Sequence, residues 1–480
     1  MSGSKNCDFL HSITDIQGLK VTVMGLGLNG GGLESAKFFY DHGAQVTVTD
    51  LQNETVLQPS IEALGDRKIR YVLGKHEIED FANADIVIKN PAVRRASIYL
   101  DAAKCIETDI SIFLRFSASP LVAVTGTKGK STTASAIHYG FVQSGVEALL
   151  GGNITISPLS FLEKTSPERP VVLELSSWQL ADMRGKGVLK PKVAVITAIM
   201  PDHMNYYKSM EEYVADKRLI YKDQDSDDYT VCDNDSDWGK SFALESSAQI
   251  LWYGASEHKK LGAWLEKTEG GVHGVSNFGL SFQKESELQA GPSEIVPCRI
   301  RLPGPPMKKN LLAAGLALQA SGLPADKIAA AMGTFPGIEH RLEWFAEANG
   351  IKWYNDSAAT VPQAVAAALD SFDAPITLIT GGTDKNLDFE PVKTAYKKAN
   401  RIILLSGTGT DKLMPLLAEQ DLRWHGPYDD LSQAVQKAID VSHPGSVILL
   451  SPGCASFGMF LNEFDRGKKF KDCVLQLIHQ

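Results

Sequence analysis

No stretch of this chain stays apolar for the ~18 residues that a membrane-spanning helix needs, so membrane insertion is not expected. Cysteine is sparse and scattered. Cys7, Cys105, Cys232, Cys298, Cys454 and Cys473 show no CxxC spacing, which argues against a zinc ribbon and against a disulfide framework. A reduced, cytoplasmic setting fits that usage. Positive charge is in deficit, with a net charge of −9, so nothing points to nucleic acid. The opening MSGSKNCDFL does not read as a signal peptide. Internal repeats and low-complexity segments are absent as well. What is present is globular: 480 residues, 44% hydrophobic and 22% charged, enough for about three domains with ordinary cores.

The most informative stretch is VAVTGTKGKSTTA, Val122 to Ala134. It reads as a buried strand, a glycine-containing loop and the start of a helix. Such a loop wraps backbone N–H groups around phosphates at a helix N-terminus. Lys130 supplies a point charge for the β/γ-phosphates, and Ser131 or Thr132 a hydroxyl for Mg²⁺. A full Walker A loop would place glycine at position 124, where Val124 stands. The core of this variant is Gly126, Gly129, Lys130 and Ser131. An ordinary glycine turn is the plain alternative, and the Lys-Ser-Thr run weighs against it.

A second glycine motif precedes the first. LKVTVMGLGLNGGG reads as strand Val21 to Met24, then Gly25-x-Gly27-x-x-Gly30, then a helix through Phe39. A strand from Gln45 to Thr49 ends at Asp50, twenty residues after Gly30. Taken alone, this is the dinucleotide fingerprint and predicts NAD-linked oxidoreduction. The physics is broader, because any nucleotide diphosphate can use close backbone approach and a strand-end carboxylate. Further strands are expected at Asp85 to Lys89, Val171 to Leu175 and Val193 to Thr197, with a helix that includes Tyr213 to Tyr221. The region from Tyr229 to Arg301 looks like a strand-rich flank. An alanine-rich helix is expected from Asn310 to Ser321. A new α/β unit follows Pro336-Gly337, with strands at Ile376 to Thr380, Arg401 to Leu405 and Ser446 to Leu450. Glu174 ends a hydrophobic strand and suits a Mg²⁺ that also touches Ser131. On pattern alone, His203 is as well read as a surface or core residue, and Lys217 as a solvated one.

Together these motifs resemble the Mur ligases, and within that family the D-glutamate-adding branch. The resemblance rests on GLGLNG (Gly25 to Gly30), TGTKGKST (Thr125 to Thr132), ELSSWQL (Glu174 to Leu180), DHM (Asp202 to Met204), YVADKRLIY (Tyr213 to Tyr221), HRLE (His340 to Glu343), NDSAAT (Asn355 to Thr360), GGTDK (Gly381 to Lys385) and SPGCASF (Ser451 to Phe457), in family order. It implies three α/β domains. A Rossmann-like UDP-sugar domain would span 1–110. A P-loop ATPase domain with a mostly parallel sheet and β-rich flank would span 111–335, and a Rossmann-like amino-acid-binding domain 336–480.

The implied reaction joins D-glutamate to UDP-N-acetylmuramoyl-L-alanine through an acyl phosphate, using ATP and two Mg²⁺, in a cytoplasmic monomer. Gly126, Thr127, Lys128, Gly129, Lys130, Ser131 and Thr132 would cradle ATP, with Asn310, Arg341 and Asp356. Ser131, Glu174, His203 and Lys217 would hold metal, Lys217 as a carbamate formed with CO₂. Leu28, Asn29 and Asp50 would seat the uracil and diphosphate. Asn153 would lie near the reacting carboxylate, and Thr360, Lys385 and Ser456 would bind glutamate. The third domain would close over ATP. The chain departs from the family pattern at Lys128, Thr155, Ala358, Val361 and Pro306-Met307, at Asn90-Pro91-Ala92, and in the order Asn462-Glu463-Phe464. A non-catalytic, nucleotide-sugar-binding relative is the other reading; it predicts loss of chemical residues, and Lys130, Ser131, Glu174, His203, Lys217 and Lys385 are all present.

Overall fold

In this computed structural model, residues 6–28, 30–94, 96–154, 156–278, 292–302 and 304–478 are described. Long apolar runs become strands buried on both faces, as parallel sheets covered by helices require. The first sheet contains β1 (Lys20–Met24), β2 (Gln45–Asp50), β3 (Arg70–Leu73), β4 (Ile86–Lys89) and β5 (Ile106–Glu107). Its order is β3-β2-β1-β4-β5, all parallel. Helices α1 (Gly31–Asp41), α2 (Glu54–Leu64), α3 (Ile78–Ala82), α4 (Ile98–Ala102) and α5 (Asp109–Phe116) connect and follow these strands.

The second sheet holds β6 (Leu121–Thr125), β7 (Leu149–Gly152), β8 (Val171–Glu174), β9 (Val193–Ile196), β10 (Tyr229–Asp233), β11 (Gln249–Gly254), β12 (Gly262–Thr268), β13 (Gly271–Ser276) and β14 (Ser293–Val296). The order is β14-β13-β12-β11-β10-β9-β6-β8-β7. The strand-rich flank expected after Tyr229 therefore continues this same sheet. Among the described residues, only β12–β13 and β13–β14 pair antiparallel in this sheet. Its helices are α6 (Lys130–Gln143), α7 (Ser177–Asp182), α8 (Met210–Lys217), α9 (Asp237–Glu245), α10 (Pro305–Ala320) and α11 (Ala325–Thr334). β1 lies between β2 and β4, and β6 between β8 and β9. Connections leave such strands in opposite directions, which opens a crevice at their C-terminal ends.

The third sheet, β15 (Glu343–Ala348), β16 (Ile351–Asn355), β17 (Ile376–Thr380), β18 (Ala399–Leu405), β19 (Trp424–Tyr428) and β20 (Val447–Leu450), runs β15-β16-β20-β17-β18-β19. It is parallel apart from the β15–β16 hairpin. Helices α12 (Pro362–Leu369), α13 (Thr408–Glu419), α14 (Leu431–Val441) and α15 (Glu463–Ile478) accompany it. The chain forms two compact units, one of residues 1–298 and 309–332, the other of 299–308 and 333–480. Within the first unit, one apolar core is continuous from Phe39 and Phe113 to Phe161, Leu173 and Ile196, and so serves both sheets.

Three expectations are corrected. The alanine-rich helix begins at Pro305 rather than Asn310, because proline is tolerated in a first turn, where its missing N–H has no helical partner. The helix expected through Tyr221 ends as an α-helix at Lys217 and tightens into a 3₁₀ turn over Arg218–Ile220. Cysteine pairing was not expected, yet Cys7 and Cys105 form a disulfide, with Cα atoms 5.4 Å apart. They are 98 residues apart in sequence, so only the fold brings them together.

Candidate active site

The loop after β6 is shaped by two glycines. Gly126 has φ of +144°, and a Cβ there would fall 1.9 Å from Thr197 Oγ1. Gly129, the N-cap of α6, has φ of +92°, and its Cβ would fall 2.4 Å from Asn310 Oδ1. Side chains at either position would displace neighbours and strain the backbone. The loop is latched from outside: Thr127 N–H donates to Ala198 O at 2.7 Å, and Thr127 Oγ1 lies 3.1 Å from Tyr213 Oη. Lys130 Nζ donates to Thr127 O at 3.0 Å. Ser131 and Thr132 lie in the first turn of α6, which contains no acidic residue. That helix end therefore keeps its full positive character for an anion. Lys128 is exposed at the loop's edge, and Val124 is buried within β6.

Glu174 ends β8 and is 1% exposed. Its Oε1 accepts from Asn153 Nδ2 at 2.9 Å. Its Oε2 is buried with no hydrogen-bond partner among the described residues. Gly152 must be glycine here, since its Cβ would lie 2.2 Å from Glu174 O. A buried carboxylate oxygen without a donor is costly in isolation and suits a hard cation. The buried Glu174 oxygen, near the hydroxyl-bearing start of α6, therefore fits an oxygen-preferring cation such as Mg²⁺.

Lys217 closes α8 and is 2% exposed. Its Nζ donates to Gly126 O at 2.7 Å and lies 4.5 Å from the Tyr213 ring centroid. Burial lowers its pKa to about 7; nearby Lys130 acts in the same direction, and Asp202, Asp216 and Glu174 oppose it. His203 follows β9 in a left-handed conformation, with φ of +55°. Its ring packs 5.1 Å from Trp178, and its Nε2 is 4.0 Å from Asp202 Oδ2. Asp202 and Tyr213 stood within sequence motifs without an assigned role. Tyr213 couples the phosphate loop, Lys217 and His203, whose ring is 6.4 Å away.

In the first sheet, Asp50 is turned toward its own loop. Its Oδ2 accepts from Gly27 N at 3.1 Å and its Oδ1 from Gln52 N at 2.9 Å. Leu28 is 56% exposed beside it, and Asn29 lies outside the described residues. Gly32, outside the fingerprint, is the glycine that close packing demands, since its Cβ would fall 2.1 Å from Gly25 O. Two cavities lie between the first and second sheets. One of about 140 Å³ is lined by Lys89, Trp178, Asp182, His203 and Tyr206, among others. The other, about 160 Å³, is lined by Gly31, Asn90, Asp109, Asn153, Ser157 and Gln179, among others. Lys89 and Asp182 form a buried ion pair at 2.8 Å. A lysine ending the apolar run IVIK was the signal that sequence reading passed over.

The second unit carries its own cluster. Asp356 accepts from Leu342 N at 3.2 Å and Ser451 Oγ at 2.7 Å. Burial raises its pKa to about 7, against the pull of Ser451, Leu342 N–H and Arg341. Arg341 is exposed and Thr360 half-buried. Thr383 and Ala455 bridge two loops, one bearing exposed Lys385 and the other buried Ser456. Lys385 Nζ is 4.8 Å from the Phe457 ring. Arg466, 1% exposed and not anticipated, ties Ser357 O at 2.9 Å to Cys454 O at 3.2 Å. Of the sequence-predicted residues, the first unit thus gathers the phosphate loop, Asn310, Asn153, Glu174, His203 and Lys217. The second holds Arg341, Asp356, Thr360, Lys385 and Ser456.

Known families match in three successive stretches: the MurD-like N-terminal domain of Mur ligases over residues 19–112, the Mur ligase middle domain over 124–318, and the Mur ligase glutamate ligase domain over 340–454. A Treponema pallidum protein named UDP-N-acetylmuramoylalanine--D-glutamate ligase is 40% identical, covering 96% of this chain and 98% of that one. Proteins of the same name from Roseiflexus sp. and Borreliella afzelii are each 38% identical, over 96% of this chain and 99% of theirs. Among solved structures, the UDP-N-acetylmuramate-alanine ligase MurC of Thermotoga maritima is similar in fold. Its TM-score is 0.58 at 18% identity, over 96% of this chain and 100% of that one.

Proposed function

The chain belongs to the Mur ligase family, and on that premise we propose that it joins D-glutamate to UDP-N-acetylmuramoyl-L-alanine in an ATP-dependent reaction of peptidoglycan precursor synthesis. The observation that carries this reading is the buried cluster of phosphate loop, Glu174 Oε2 without a partner among the described residues, and Lys217, at the C-terminal ends of β6 and β8. It supplies the charge that a phosphoryl transfer between anions requires.

The carboxylate of the nucleotide-sugar attacks the γ-phosphorus of ATP, and ADP leaves. The neutral amine of D-glutamate then attacks the acyl carbon of the acyl phosphate, phosphate departs, and the nitrogen gives up one proton to leave an amide that keeps the other. The N–H groups of the loop and of α6 hold the phosphates, and Lys130 offsets the charge that builds between β- and γ-phosphates. Ser131, Glu174 and His203, with Lys217 as a carbamate, would hold two Mg²⁺, which would screen the two anions from each other. Lys217 is suited to that conversion because its pKa of about 7 leaves about half of its amine neutral near pH 7. A neutral amine adds CO₂ and loses a proton to give an anionic oxygen ligand. Asn153 holds Glu174 in place and borders the cavity where the substrate would lie. Lys385, Ser456 and Thr360 would bind the carboxylates of glutamate, and Arg341, Asp356 and Asn310 the nucleotide. Leu28, Asn29 and Asp50 would flank the uridine diphosphate. We assign the enzyme to the cytoplasm as a monomer of three domains.

The test is phosphate release from ATP with Mg²⁺ and UDP-N-acetylmuramoyl-L-alanine, comparing D-glutamate, L-glutamate and no amino acid. Release that needs both nucleotide-sugar and D-glutamate is expected. Release with L-glutamate alone would move specificity to the departures at Ala358 and Glu463, and no release with either would refute the proposal.

A further inference from the structure

The cavity of about 160 Å³ contains a buried acid that the reaction above leaves unused. Asp109 opens α5 behind the N-cap Thr108 and is 7% exposed. Its Oδ2 accepts from Ser157 Oγ at 2.9 Å. Its Oδ1 is buried with no hydrogen-bond partner among the described residues. A Cβ on Gly31, the first residue of α1, would lie 3.5 Å from Oδ2. The carboxyl therefore stands at the N-terminus of the helix that follows the first glycine loop. A helix N-terminus behind a glycine loop is a place suited to a diphosphate.

An ionised carboxylate at that place would repel a diphosphate. Burial opposes ionisation, while the N-termini of α1 and α5 favour the carboxylate. No cation faces Asp109 among the described residues; the lysine at hand, Lys89 on β4, is paired with Asp182 on α7. Asp182 itself adds negative potential at Asp109. Ser157 contributes a hydroxyl, and Gly31 no charge. Burial first, and Asp182 to a lesser degree, push the Asp109 carboxyl above the usual carboxylate range, against the pull of Ser157 and the N–H groups of residues 109 and 110.

We propose that Asp109 serves as a neutral acid that donates a hydrogen bond to the diphosphate of the nucleotide-sugar, so that substrate binding weakens as this carboxyl ionises. The inference rests on the nucleotide-sugar reading above and adds a residue and a pH dependence to it. A neutral donor recognises the phosphate oxygen without the electrostatic penalty that its conjugate base would impose. Asp109 thus resembles an acid kept protonated by its environment for hydrogen bonding.

The experiment is calorimetric titration of the full chain with UDP-N-acetylmuramoyl-L-alanine, without ATP, from about pH 5 to about pH 9. Wild-type affinity should fall with rising pH, by up to about tenfold per pH unit beyond the breakpoint. Asp109→Asn keeps a donor and the shape, so its affinity should stay flat, within about threefold of the wild-type acid limit. Ser157→Ala removes a bond that favours the carboxylate, so the breakpoint should move to higher pH. This second variant keeps the test decisive if Asp109→Asn does not fold. An unchanged pH slope in Asp109→Asn, or an unmoved breakpoint in Ser157→Ala, would overturn the inference while leaving the ligase reading intact. Failure of the ligase reading looks different: wild type would give no binding at any pH, and both would fall.

Discussion

Lys217 offers the sharpest quantitative test of how burial produces chemistry. The amine lies against Gly126 O and the Tyr213 ring, almost wholly removed from water. Its pKa falls from 10.5 to about 7, which corresponds to roughly 5 kcal/mol against the ammonium form at about 1.4 kcal/mol per tenfold change. Near pH 7.5, about three-quarters of Lys217 is then neutral, against about one part in a thousand for an ordinary lysine. The pool of CO₂-reactive amine is thus nearly 10³-fold larger than at a surface lysine. The sign for stability follows. The folded chain releases this proton near pH 7 and the unfolded chain near 10.5, so stability rises with pH across that window. The assay is ¹³C NMR of metal-free protein in ¹³C-bicarbonate, with Lys217→Met as control. One carbamate resonance is expected in wild type, already formed near neutrality and absent from the variant. A spectrum unchanged by Lys217→Met, or a carbamate that appears only above about pH 10, would refute the reasoning. Ligation by Lys217→Met should fall by about 10² or more, since the metal would lose an anionic ligand.

The remaining predictions address other parts of the molecule. Gly129→Ala combines φ of +92° with a Cβ 2.4 Å from Asn310 Oδ1. It should cost about 1–3 kcal/mol and abolish the thermal shift produced by ATP. Glu174→Gln keeps the Asn153 contact but removes the charge; the fold should survive while ligation falls about 10²-fold or more at any Mg²⁺ concentration tried. Asp356 has a raised pKa, so its contribution to stability is present at acid pH and lost as pH rises through about 7. Hydrogen exchange in β16 and β20 should therefore accelerate beyond the intrinsic rate as pH rises from about 4 to about 7 in wild type, level off above that, and accelerate less in Asp356→Asn. With Cys7–Cys105 paired and Cys232, Cys298, Cys454 and Cys473 free, thiol titration of denatured, non-reduced protein should count four, where six would deny the disulfide.

Much of the site was legible because its chemistry is written in local order. A phosphate loop needs a strand, glycines and a helix start in succession, so Gly126, Gly129, Lys130 and Ser131 announce themselves within one short segment. Glu174 stands out as a carboxylate ending a buried apolar strand, and Gly25 to Asp50 as a nucleotide-binding turn. Other residues carry no such local mark. Asp109, Lys89 and Asp182 are ordinary charges in sequence, and become informative only when folding takes them out of water together. Arg466 looks like any helical arginine until it is found clamping Ser357 and Cys454. Only the fold shows that the Asp50 carboxylate accepts from Gly27 and Gln52 N–H of its own loop. By itself, then, the sequence determined the strand–loop–helix segments around its glycine motifs, the phosphate-binding loop and the family to which the chain belongs, because glycine placement and motif spacing are local properties. Tertiary structure alone decided which carboxylate oxygens lack a donor, which lysine loses its proton near neutrality and which cysteines meet, because desolvation and proximity arise only when distant segments pack.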